Sequence, residues 1–243
     1  MAGKGATSDA PELSVVVPMR DERDTVDAFL VALTAGIGAF GVPFEVLVVD
    51  ASADGTHARL LAWPDARVRA LRQRGTGFSG ACGEGIAAAR GAWVLVMNGD
   101  FNHRVEDAAA LWGARTRADV VVGSRFVPGG GSRDSRARLL VSRVASRGVG
   151  RIARTGLREN FSSFFLARAG VLRELPVAAI FRGRGEGMLR MVDAARRRGF
   201  TVAEVPVVYG RRRAGRSKTR AAPFAWAYLA TALELRARGP ATG

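Results

Sequence analysis

The chain has 243 residues, 48% of them hydrophobic, enough for a substantial core in one α/β domain. Its 37 Lys and Arg against 22 Asp and Glu leave a formal net charge of +15. That balance favours phosphates, nucleic acid or an anionic membrane surface as partners, although an Arg-rich genome composition explains it as readily, since Lys occurs only at Lys4 and Lys218. A single cysteine, Cys82, excludes an internal disulfide and a zinc cluster, and no run approaches the ~20 apolar residues of a membrane-spanning helix. With no apolar leader at the start, the expected location is cytoplasmic, with room for peripheral contact at the inner face of a membrane.

Residues 1–11 are small and polar and read as a disordered leader. Leu13 to Val17, ending at Pro18, is a compact β-branched run and predicts a buried strand. Val26, Phe29, Leu30 and Leu33 then recur at helical spacing, and Phe44 to Val49 is the next β-rich run, which makes a βαβ unit. The alternation continues with a strand at Val68 to Leu71, a helix through Ile86 to Arg90, a strand at Trp93 to Met97, a helix from Val105 and a strand at Asp119 to Val122. This pattern predicts a mainly parallel sheet with helices on both faces. Beyond it come a Gly-rich loop at Pro128 to Gly131 and a basic amphipathic helix from about Ala137 to Arg154. A strand-like segment at Phe161 to Leu166, a helix at Gly187 to Arg198 and a strand at Thr201 to Tyr209 follow. The basic run Arg211 to Arg220 precedes a last apolar helix, whose Phe224, Trp226, Tyr228 and Leu229 suit a membrane interface. The expected division is therefore a leader at 1–11, one domain at 12–220, and an amphipathic helix with its tail at 221–243.

In an open parallel sheet, ligands bind beyond the carboxyl ends of the strands, so the polar residues that follow each apolar run are the candidates for chemistry. After the first strand stand Pro18, Met19, Arg20, Asp21 and Glu22; after the second, Asp50 to Thr56. After the fourth come Asn98, Gly99, Asp100, Phe101, Asn102 and His103, and after the fifth Gly123, Ser124 and Arg125. Each has a plain structural explanation when read singly, as a helix cap or a turn. The cluster Gly75, Thr76, Gly77 and Gly80 superficially suggests a dinucleotide fingerprint. It follows a weak third strand rather than the first, which argues against an oxidoreductase.

Read together and in order, these segments resemble the inverting family-two glycosyltransferases of GT-A fold, in particular the dolichyl-phosphate mannosyltransferase-like branch, over roughly residues 12 to 220. The resemblance rests on Val15 to Pro18 with Glu22, on Asp50 to Thr56, and on Gly77, Phe78 and Ser79 with Gly85, Ala89 and Gly91. It extends to Asn98, Gly99 and Asp100 at the family's Asp-x-Asp motif, to Val122 to Gly130, and to Arg212 to Lys218. The implied activity is transfer of a sugar from a GDP- or UDP-sugar to a phosphate-bearing acceptor, most simply polyprenyl phosphate, assisted by Mg²⁺ or Mn²⁺.

By the same resemblance, Pro18, Arg20, Glu22, Asp50, Ser52, Gly77, Asn98 and Gly99 line the nucleotide pocket, and Asp100 with Asn102 holds the metal. Asp100, Arg125 and Glu186 are the catalytic candidates; Arg125, Arg138, Arg212, Ser217 and Lys218 the phosphate-binding ones. A phosphate acceptor is already ionised at neutral pH, so the site needs positioning and cations more than a strong general base. For Glu186 a stabilising role at a helix N-terminus is an equal alternative.

The departures fall in the donor site. Val49 stands where the family has the first Asp of an Asp-Asp pair, and Asn98 replaces the first Asp of Asp-x-Asp, which lowers the expected metal affinity. Phe164 stands where the family has Gly, so a remodelled acceptor pocket is expected. Two further readings stay open: a relative acting on a soluble acceptor of specialised metabolism, and a catalytically inactive basic binding protein. Nucleic acid is not an expected partner.

Overall fold

The computed structural model describes residues 10–210 and 221–239. The strands among these residues are β1 Leu13–Met19, β2 Phe44–Asp50, β3 Val68–Arg72, β4 Trp93–Val96, β5 Val120–Ser124, β6 Gly131–Ser132, β7 Phe165–Arg168, β8 Val202–Pro206 and β9 Val208–Tyr209. The α-helices are α1 Val26–Gly38, α2 Thr56–Leu61, α3 Gly77–Ala88, α4 Ala108–Gly113, α5 Arg136–Ala153, α6 Ala169–Glu174, α7 Val177–Ile180, α8 Gly187–Arg196 and α9 Ala221–Ala237.

Seven strands form one sheet in the order β3-β2-β1-β4-β7-β5-β8, and all its pairings are parallel except those of β7 with β4 and β5. Every residue of β1 and β2 is buried, as parallel strands covered on both faces require. Alternate side chains feed two cores. Leu13, Val15 and Val17 pack with Phe29, Leu30 and Leu33 of α1 and Leu111 of α4 on one face; Val16 and Leu47 pack with Ile86 of α3 and Met188, Met191 and Val192 of α8 on the other.

The chain departs from the sequence reading where local chemistry overrides periodicity. Helix α3 begins nine residues before Ile86, and its early turns are hidden by glycines that serve packing: a Cβ on Gly85 would lie 2.3 Å from Val16 Cγ1, and one on Gly83 would lie 3.0 Å from Phe181 Cβ. The strand expected from Phe161 starts at Phe165 instead, because Ser162 turns the chain: its hydroxyl accepts from Phe164 N (3.0 Å) and pairs with the Tyr209 hydroxyl (2.8 Å). The strand expected from Thr201 to Tyr209 is broken after Pro206, on the edge of the sheet where a residue without an N–H is tolerated, and β9 pairs with β6.

The last helix is not a free interfacial element. Tyr228, Ala232 and Leu235 of α9 are buried against Ala153 of α5 and Leu189 of α8. No helix among the described residues is long and apolar enough to cross a membrane.

Candidate active site

The loops after β1 and β2 are stitched together. Asp21 N donates to Ser52 Oγ (2.6 Å), Glu22 N to Thr56 Oγ1 (3.0 Å), Arg23 N to Asp54 Oδ2 (3.2 Å), and Ala53 N returns a bond to Asp21 Oδ1 (3.0 Å). Asp21 holds a left-handed φ of 52° to make this fit, a conformation that Asp tolerates better than most residues. Beneath the stitch, the Asp50 carboxylate is fully buried and accepts from Ser52 N (3.1 Å), from the Ser52 hydroxyl and from Arg72 Nη1 (2.9 Å). His57 Nδ1 stands 3.0 Å from Asp50 Oδ2 without the alignment of a hydrogen bond.

These loops wall one side of a cavity of about 430 Å³ at the carboxyl edge of the sheet. Of the residues expected to contact a nucleotide, Pro18, Arg20, Glu22, Gly77, Asn98 and Gly99 line it, together with Asp100. Asp50 and Ser52 lie behind, bracing the Ala51 wall. Gly99 is required by close approach: a Cβ there would meet Met19 Cε at 2.7 Å and Val17 Cγ1 at 3.0 Å, so only glycine lets β4 end tightly against β1. Gly77, at φ 74°, has a similar reason, since its Cβ would stand 2.9 Å from Gly183 O.

Asp100 is 7% exposed, and its Oδ1 accepts from Asn102 N (3.0 Å). Asn102 meets Asp100 through that backbone N–H and lies off the cavity lining. The Asn98 amide oxygen accepts from Ser163 Oγ (3.1 Å), and its backbone N–H donates to His103 Nδ1 (2.9 Å). Since Nδ1 accepts, the proton of the neutral His103 imidazole sits on Nε2. His103 is buried and stacked on Phe164 at 4.7 Å; burial pushes its pKa down to about 3, the Asp100 charge opposing the fall and Arg125 adding to it. Phe164 thus fills core behind the site rather than the acceptor pocket, and of the two rings it is Phe161 that lines the cavity.

The remaining wall comes from elements the sequence reading did not assign to the site. Arg184 and Gly185, on the turn before α8, line the cavity, as do Phe224 and Tyr228 of α9. The Tyr228 hydroxyl donates to Gly185 O (2.7 Å), while its ring meets Phe161 edge-on at 4.8 Å and Phe224 at 4.5 Å. Glu186 sits behind this turn and shapes it. Its Oε2 accepts from Arg184 N (3.0 Å) and Gly185 N (2.9 Å), and Arg190 Nη2 lies 3.4 Å from Oε1. Sequence signals for these contacts are weak, because α9 joins the site through tertiary packing some forty residues away from Gly185 in the chain.

The expected phosphate ligands are distributed differently. Arg125 points inward, 12% exposed, and its fork is engaged by Glu159 through Nε–Oε2 (2.7 Å) and Nη2–Oε1 (3.0 Å), with the Tyr209 ring 4.5 Å below it. Arg138 lies on the exposed first turn of α5, away from the cavity. Arg212, Ser217 and Lys218 lie outside the described residues. Among the described residues no group of three or more His, Cys, Asp or Glu forms a metal cage. A nucleotide-bound Mg²⁺ does not require one, since it takes one or two carboxylates and draws its other ligands from phosphate oxygens and water. Asp100 on the cavity wall fits that mode.

Known proteins resemble this chain in sequence and in fold. The chain is 31% identical over 219 residues to polyprenol monophosphomannose synthase of Mycolicibacterium smegmatis, covering 84% of this chain and 79% of that protein. It is 34% identical over 183 residues to undecaprenyl-phosphate mannosyltransferase of Micrococcus luteus, covering 72% and 75%. A shorter match, 40% identical over 99 residues, spans 39% of this chain and 27% of the succinoglycan biosynthesis protein ExoO of Rhizobium meliloti. The fold is shared with glucosyl-3-phosphoglycerate synthase of Mycobacterium tuberculosis, solved with Mn²⁺, UDP and phosphoglyceric acid, at a TM-score of 0.68 and 21% identity over 93% of this chain and 78% of that one. Residues 14–176 match the model of glycosyl transferase family 2, and the chain is a glycosyltransferase belonging to that family.

Proposed function

We propose that this chain transfers a sugar from a GDP- or UDP-sugar, with inversion, to the phosphate of a polyprenyl phosphate, with Mg²⁺ or Mn²⁺ bound at Asp100 and the donor diphosphate. The observation that carries this reading is the cavity itself, where Asp100 and Glu22 share one wall system with Arg20 and Arg184. Carboxylates there suit a cation and ribose hydroxyls, and guanidinium groups suit phosphates. The names of the two mannosyl-transferring relatives supply the acceptor class.

When bound, the cation neutralises charge that develops on the departing diphosphate. The chain's own residues do the positioning. Pro18, Glu22 and Gly99 form the wall against which the nucleotide rests, and Arg20 and Arg184 draw phosphates to the cavity. Phe161, Phe224 and Tyr228 provide an apolar wall that suits the first isoprene units of the acceptor and excludes water from the transfer. The acceptor phosphate arrives as an anion, so its oxygen attacks the anomeric carbon as the diphosphate leaves. No side chain needs to remove a proton.

The test is a transfer assay with radiolabelled GDP- and UDP-sugars, polyprenyl phosphate or a soluble phosphorylated acceptor, and each divalent cation in turn. Label entering the lipid fraction with one donor is the expected result. Label entering only a soluble acceptor would overturn the lipid assignment, and no transfer or donor hydrolysis under any condition would overturn the reading altogether.

A further inference from the structure

Helix α5 has apolar residues on two faces. Ser146, Gly150 and Ala153 are buried and Val149 and Ile152 pack on the core beside Ala153, whereas Leu140, Val141 and Val144 are 60%, 69% and 63% exposed. A helix serving only a soluble core would turn those residues inward. Their spacing at i, i+1 and i+4 puts them on one face, and Ala137, Ala145 and Gly148, also exposed, extend the same stripe over about three turns. Arg136 and Arg147 flank this stripe on one side and Arg138 on the other, with Arg151 at its far end, all exposed. The helix itself contains no acidic residue.

We propose that this face of α5 docks on an anionic lipid bilayer, with Leu140, Val141 and Val144 among the acyl chains and the flanking arginines at the headgroups. The charge pattern selects this occupant, because an apolar stripe bordered by cations matches a surface that is apolar within and anionic at its rim. Uncharged protein grooves give the arginines no partner. The inner face of the helix ties the docked surface to the cavity. Ser146 Oγ accepts from Asn160 N (2.8 Å) and donates to Arg158 O (2.9 Å), and the residue after Asn160 is the cavity-lining Phe161. The C-terminal part of α5, through Val149, Ile152 and Ala153, also packs on α9, whose Trp226 is 70% exposed and whose Phe224 and Tyr228 complete the same cavity. The inference deepens the lipid-acceptor reading, since it places the membrane one helix away from the proposed acceptor wall.

The experiment is flotation of the full chain with phosphatidylcholine vesicles, with and without phosphatidylglycerol, and with no polyprenyl phosphate present. Binding to the anionic vesicles that weakens with salt is expected. Val141→Asp with Val144→Asp should lower it at least tenfold, and Arg147→Gln about fivefold. These side chains are already in solvent, so the variants should keep the wild-type circular dichroism and melting temperature; the Leu140→Ser variant repeats the test should they not. Wild type that stays with the soluble fraction, or a double variant that floats like wild type, would overturn the proposal. So would a dimer by light scattering that the double variant dissolves, which would give the face to a second copy. Binding to vesicles without transfer to polyprenyl phosphate would leave the docking intact and refute the acceptor assignment alone.

Discussion

Replacing Glu159 by Gln should destabilise the fold by about 3–5 kcal/mol, the range for breaking a buried ion pair from one side. The structural basis is explicit. Glu159 is fully buried, Arg125 is 12% exposed, and the two meet through both arms of the guanidinium at 2.7 and 3.0 Å. In the variant an amide NH₂ competes for a place facing guanidinium N–H groups, and the positive charge stays buried without its counter-charge. At about 2–4 °C per kcal/mol for a chain of this size, heat-induced unfolding should shift down by roughly 10 °C. Adding Arg125→Met removes the stranded charge and should recover more than half of the loss, because the substituted side chains at 159 and 125 are both neutral and no buried charge is left without its counter-charge. The pair also holds the site, since Glu159 Oε1 accepts from Phe161 N (3.1 Å). A loss below about 1 kcal/mol for Glu159→Gln, or a double variant no more stable than the single, would refute this account of Arg125.

Asp100→Asn keeps an oxygen for the Asn102 N–H but removes the charge, so transfer should fall by about 100-fold or more while the melting temperature holds; activity within tenfold of wild type would remove Asp100 from the metal site. Tyr228→Phe keeps both ring contacts and loses only the 2.7 Å bond to Gly185 O, which should cost about 1 kcal/mol in unfolding and raise the KM for donor. An unchanged KM would detach the 183–186 turn from donor binding. Glu45 gives the acid limb of stability. Burial raises its pKa, but the Arg90 N–H, the Ser14 hydroxyl and the Arg90 and Arg69 guanidinium groups outweigh burial and hold it below the usual value of 4.5. A depressed folded pKa contributes stability that is fully present above the unfolded value and is lost as pH falls from about 4.5 through the folded one. Glu45→Gln should therefore lower the melting temperature at pH 7 and flatten its fall between pH 5 and 3, and parallel pH profiles would show that Glu45 plays no part in that limb.

The parallel half of the fold was legible because β1, β2, β4 and β5 are runs rich in Val, each followed by polar residues at the edge where ligands bind. Those runs are fixed by burial on both faces, a property the sequence expresses directly. Elements whose shape is set by distant partners were not legible. Nothing in Phe161 to Phe164 announces that Ser162 will bond to Tyr209, forty-seven residues away, and so delay β7. Short helices such as α2 and α6 carry too few turns to show a period. In the site, Asp50 was legible as a polar residue at a strand end, but its bonds to Ser52 and Arg72 could not be read from the chain. Tyr228 was misread for the opposite reason, because an aromatic on a terminal helix suits a membrane interface and a packed cavity wall equally well.

The same distinction explains the two departures that looked most disruptive in the sequence. Asn98 stands where the resemblance implies a carboxylate, and its amide oxygen accepts from Ser163 Oγ, which ties the end of β4 to the approach to β7 without a negative charge. Phe164 replaces a glycine, yet its ring lies on His103 in the core and leaves the cavity wall to Phe161. One position carries no charge and still ties two strand ends together, and the other places its volume outside the pocket. A cavity with fewer carboxylates and two arginines on its walls keeps attraction for phosphates even as its hold on a bare cation weakens. The cation proposed at Asp100 would then be recruited together with the donor diphosphate rather than ahead of it.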